Sequence, residues 1–106
     1  MSMNIKDFVK KYAFIGGDDN ELTVDTIVDM VEDCLVITAG NFECNNTERV
    51  VYGNFIIQGM FYSALFDQNN GNESKFDKFI IDHCVEICNK FAEKCSTKGQ
   101  NIELLQ

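Results

Sequence analysis

Apolar residues recur along this chain with the period of helices, and glycine- and asparagine-rich breaks separate the periodic segments. The spacing predicts a first helix from about Ile5 to Phe14. Asn4 caps it, and Ile5, Phe8, Val9 and Tyr12 share one face. Gly16 and Gly17 end it, and an acidic connection leads to a second helix capped by Thr23. Asp25 stands in that helix's first turn, where the dipole favours negative charge. Val24, Ile27, Val28, Val31, Cys34, Leu35 and Thr38 line its apolar stripe, and Gly40 is a natural stop. The run from Cys34 to Thr38 also suits a strand, but it continues the helical pattern.

Asn45 and Glu48 form a capping box ahead of a third segment, which holds no charge from Val50 to Phe66. That segment is apolar in nearly every direction, with Asn54 and Gln58 as a narrow polar strip. Such a helix is expected to be surrounded, either centrally in a bundle or partly by a second copy of the chain. Gly53 and Gly59 lower its helix propensity but let a neighbour's backbone come close. Two short strands, Arg49 to Tyr52 and Phe55 to Gln58, are the alternative. After a break from Asp67 to Glu73, Ser74 and Asp77 cap a last helix running to about Cys95. Phe76, Ile80, Cys84, Ile87, Cys88, Phe91 and Cys95 share its inner face; Asp82, Glu86, Asn89 and Glu93 lie opposite. The expectation is an all-α, compact, four-helix bundle-like single domain, with its core over about 4–95 and a short flexible C-terminal tail over 96–106. Ile102, Leu104 and Leu105 are the apolar residues by which that tail would dock if it does not fray.

Composition narrows the class. At 106 residues, with 45% hydrophobic and 25% charged side chains, the chain has enough apolar content for one core. The 17-residue uncharged run is shorter than the roughly 20 residues of a membrane span. The opening residues do not form a signal peptide, and an odd number of cysteines, five, reads as reduced thiols in a cytoplasm. Abundant Asn, Lys, Ile and Phe, with no Pro or Trp, suit an AT-rich genome such as that of a phage or low-GC bacterium.

Candidate chemistry is sparse. His83, Cys84, Cys88 and Cys95 look like a metal cluster in a row, but the three cysteines share the apolar stripe of one helix and behave as small hydrophobes there. No C-x-x-C occurs, and His83 stands at the stripe's edge, about 100° around the helix from Cys84. The segment Gly16 to Asn20 lacks the G-K-[ST] of a phosphate loop and the spacing of a calcium loop. The strongest enzymatic reading is magnesium-dependent nucleotide hydrolysis by Asp29, Glu32, Asp82 and Glu86. In size and helicity the chain resembles the helical nucleotide pyrophosphatases, which carry E-x-x-E and E-x-x-D pairs on facing helices. It departs from them in having Asp for Glu in Asp29–Glu32 and a different spacing in Asp82–Glu86.

Charge is the most informative feature. No Lys or Arg occurs between Lys11 and Arg49, and Tyr12 to Glu48 holds nine acids. That segment carries −9 of a net −8, which leaves +1 to everything else. Asp25, Asp29, Glu32 and Asp33 form one ridge opposite the apolar stripe, with no cation nearby in sequence to relieve it. This excludes nucleic acid and anionic membrane as direct partners. The sequence therefore reads as a non-enzymatic interaction module without cofactor or metal. It would be an inhibitor or adaptor docking its ridge on a basic, nucleic-acid-handling protein. The alternatives are the hydrolase and a structural homo-oligomeric subunit, a homodimer pairing through Ile56 and Met60 of the third helix.

Overall fold

In a computed structural model that describes residues 4–16, 22–39 and 46–104, the chain is all-α. It is a four-helix bundle-like domain: α1 (Ile5–Lys11), α2 (Val24–Ala39), α3 (Asn46–Asn69) and α4 (Lys75–Leu104), with a 3-10 turn at Ala13–Gly16. The local signals act where the sequence places them. Asn4 Oδ1 accepts the Asp7 amide at 2.8 Å, and Thr23 Oγ1 accepts the Thr26 amide at 3.1 Å. Ser74 and Asp77 form a reciprocal capping box, at 3.0 Å and 3.2 Å. α3 ends in a Schellman motif: the Asn72 amide donates to Asp67 O and the Gly71 amide to Gln68 O. Gly71 supplies the left-handed turn, at φ +74°. The expected cap Asn45 and stop Gly40 lie outside the described residues.

The third segment is one helix, and no strand occurs among the described residues. α4 runs nine residues past Cys95 to Leu104, so most of the expected tail continues the helix; that stretch has no proline to stop it. At 1.5 Å per residue α4 is about 45 Å long and sets the 51 Å long axis of the molecule. No helix among the described residues is long and apolar enough to cross a membrane.

α3 and α4 make the principal contact, and α2 packs across both. Ile27, Val31, Ile57, Ala64, Ile80, Ile87 and Phe91 are all but sealed from solvent. The stripes expected on α2 and α4 supply most of this core, with Met30 also buried beside α2's predicted set. At Gly53 a methyl group would overlap the ring of Phe91. A side chain, not a backbone, therefore occupies the notch that this glycine leaves.

α1 departs from expectation. Tyr12 is buried and Phe8 half-buried, but Ile5 and Val9 are exposed, so its apolar face does not join the core. The helix is only seven residues long, and Tyr12 leaves helical geometry as its C-cap. One ring, in effect, anchors the whole segment.

Replacing Gly53 by Ala should lower the unfolding free energy by about 1–3 kcal/mol, since overpacking against Phe91 outweighs alanine's advantage of about 1 kcal/mol in helix propensity. Urea unfolding followed by circular dichroism measures this, and an unchanged or raised stability would contradict the packing. A second expectation concerns the α3–α4 turn, where a hydrogen bond to Asp77, then burial, then the Asp77 charge raise the Asp67 pKa above its ordinary 3.8. A raised carboxyl contributes stability below its unfolded pKa and loses it as pH rises through the folded value. At pH 7 the two carboxylates oppose each other, so Asp67→Asn should raise the melting temperature there and give less or no gain near pH 3.

Candidate functional site

The acidic ridge forms on α2, but three of its four carboxylates are engaged within the chain. Lys94 of α4 lies 2.8 Å from Asp29 Oδ1 and 2.6 Å from Glu32 Oε1. Lys11 approaches Asp33 Oδ2 at 2.9 Å, and the Tyr12 hydroxyl donates to the same oxygen. Lys11 also sits over the Tyr12 ring, 5.4 Å from its centroid, and Phe8 packs on that ring at 4.8 Å. The cations absent from the local sequence thus arrive from α1 and α4, and the expectation of an unrelieved ridge is corrected. Two lysines halve the charge of the four acids, and Asp25, the fourth member of the ridge, is exposed. Hydrogen bonds to Asp29 and Glu32 hold the Lys94 pKa above its ordinary range despite partial burial.

The enzymatic alternatives find no shared geometry. Asp29 and Glu32 face Lys94, whereas Glu86 pairs with His83 Nδ1 at 3.2 Å on the exposed side of α4. No three His, Cys, Asp or Glu side chains among the described residues converge on a point where one ion would sit. Cys34, Cys84 and Cys88 are half-buried and Cys95 is buried, all as free thiols, whereas Cys44 lies outside the described residues. Burial first, then the Asp33 charge, raises the Cys34 pKa; burial, then Cys84, raises that of Cys88. Both shifts oppose the thiolate that nucleophilic or metal chemistry needs. His83 stacks on Phe79 at 4.2 Å beside a shallow cleft of about 350 Å³. Leu22, Lys75, Lys78 and Asp82 complete its lining, an exposed and mixed surface.

Where the sequence predicts a helix surrounded on all sides, α3 instead leaves a stripe of apolar side chains in solvent. Val51, Tyr52, Phe55, Tyr62 and Phe66 are exposed on α3, the last three at 62%, 65% and 68%. At 100° per residue the five fall within an arc of about 100°, opposite the Gly53, Ile57 and Ala64 face that meets the core. Gly59 lies in the middle of this stripe with no atom near the position of a Cβ. Ile56 and Met60, the expected self-association residues, are half-buried at the flank, packed against the core. An all-round apolar helix gives no phase in sequence, so its pattern does not fix which arc faces out. The interval of three to four residues from Tyr52 through Phe55, Gly59, Tyr62 and Phe66 is the sequence signal of this stripe.

Tyr12→Phe tests the anchor at the ridge. Burial, then the hydrogen bond to Asp33, raises the phenol pKa above its ordinary 10.0, so the folded chain keeps it neutral. Its contribution is present below pH 10 and is lost as pH rises through the folded value. Removing the hydroxyl should lower stability at pH 7 by about 1 kcal/mol and flatten the decline above pH 10 relative to the wild type. Both Lys11 and Lys94 remain in the two proteins, so the difference between their pH profiles isolates Tyr12. No protein-family model, curated protein or solved structure matches this chain, and the geometry of its two faces carries the functional reading.

Proposed function

We propose that the protein is a non-enzymatic interaction module whose docking surface is the apolar face of α3. The observation that supports this is the row of five large apolar side chains held in solvent on one arc of a packed helix. Four aromatics of roughly 150–250 Å² each, about half to two-thirds exposed, present about 500 Å² of apolar surface together with Val51. That is at the upper end of the largest patch on an ordinary monomer, and such patches commonly serve interaction. The charge pattern alone favours the ridge and a basic, nucleic-acid-handling partner. Such a partner would have to displace Lys11 and Lys94 from contacts they already make. Hydrolysis is less favoured, because its candidate carboxylates are divided between Lys94 and the exposed side of α4.

A photo-crosslinking amino acid placed at position 55, or in a second protein at position 25, compares the two surfaces in the native cells. Adducts from position 55 that vanish when Tyr62 and Phe66 become Glu, with none from position 25, are the expected result. Adducts from position 25 alone would transfer the function to the ridge. None from either position would remove the interaction reading.

A further inference from the structure

Two glycines interrupt α3, and the fold accounts for only one of them. Gly53 admits the buried Phe91 ring, whereas Gly59 has nothing within 4 Å of a Cβ position. A helix-interior glycine lowers helix propensity, and at Gly59 no contact within the chain offsets that loss. Gly59 is flanked along its own face by Phe55 and Tyr62, so the surface there is a shallow notch between two exposed rings.

Resting on the α3 reading above, we infer that the occupant of this face is a second copy of the chain, with its α3 antiparallel and crossing at Gly59. The two-fold axis passes beside Gly59, and a ring from each copy enters the other's notch as Phe91 enters the notch at Gly53. Each copy contributes about 500 Å² of apolar surface, so the pair buries about 1,000 Å², the lower limit for a specific interface and the size of a concentration-dependent pair. Charge selects the same face. Each chain carries −8, yet α3 has no charged residue from Val50 to Phe66, so two copies meet there without opposing like charges. The antiparallel sense adds a complementary pair. Arg49 and Asp67 lie five turns apart on one flank, and pairing about Gly59 brings Arg49 of each copy within a turn of Asp67 of the other.

Sedimentation equilibrium of the purified full chain, from micromolar to sub-millimolar concentration, tests this directly. The expected mass is twice that of the chain. Phe55→Glu should give a monomer with unchanged helical circular dichroism, because residue 55 lies outside the core. Gly59→Leu should act in opposite directions on two readouts. It fills the notch and raises the dissociation constant by about tenfold or more, while the melting temperature rises when it is added to the Phe55→Glu monomer. A wild type that stays monomeric throughout overturns the inference, as does a dimer that neither substitution moves. A mass that grows beyond two chains overturns the closed two-fold pair. Should the purified chain be monomeric while position 55 still forms adducts with other proteins in cells, self-pairing falls and the interaction reading stands.

Discussion

The close approach of α3 and α4 at Gly53 governs much of this fold. Phe91 is fully buried, and its ring occupies the space that a side chain at Gly53 would fill. A helix interior ordinarily disfavours glycine, so the position makes sense only through the ring it admits. The notch also fixes the rotation of α3 about its own axis. With Gly53 turned to Phe91, Ile57 and Ala64 follow it into the core one and three turns later. The opposite arc then has to face outward, and that arc holds Phe55, Tyr62 and Phe66. The exposed aromatics are thus a consequence of how the core is keyed. Rotating them inward would drive Gly53 off Phe91.

The ion pairs act differently. Lys94 joins α4 to α2 through Asp29 and Glu32, and Asp33 holds Lys11 and Tyr12 at the end of α1. Partly exposed pairs of this kind contribute about 0–1 kcal/mol each, little beside the apolar core. Their effect is chiefly on arrangement. α1 leaves Ile5 and Val9 in solvent, and its hold on the bundle rests on the buried ring of Tyr12 and the carboxylate that receives its hydroxyl. The ridge that looks in sequence like a surface awaiting a partner fastens α1 and α4 to α2 through three of its four carboxylates.

What could be read in advance follows the range of the physics. The stripes of α2 and α4, the caps at Asn4, Thr23 and Ser74 and the break around Gly71 depend on neighbours a few residues away, and each is where the sequence places it. α1 differs from its sequence pattern because a seven-residue amphipathic helix does not ensure a partner for its apolar face. The ridge looks unrelieved in sequence because Lys94 stands 62 residues from Glu32 and meets it only once α4 packs on α2. α3 is the least legible element in sequence. Its uncharged run establishes a helix of unusual apolarity, but only the Gly53–Phe91 contact decides that Ile56 and Met60 turn partly inward and Phe55 outward.

Charge and the aromatic stripe operate over different distances, and this reconciles a net charge of −8 with an exposed apolar face. Repulsion between two such chains is screened over about 10 Å at 0.1 M salt, whereas apolar burial acts only at contact. Long-range repulsion therefore discourages indiscriminate collision without cancelling the gain from a well-matched face. The nine acids between Tyr12 and Glu48 lie almost entirely outside α3, so the run from Val50 to Phe66 opposes no charge of its own sign across a shared interface. Lys11 and Lys94 reduce the ridge's field further by turning half of its charge inward to pairs within the chain. The same segregation that makes the acidic segment conspicuous in sequence leaves one helix face free of electrostatic opposition, and that is the face the core has already turned outward.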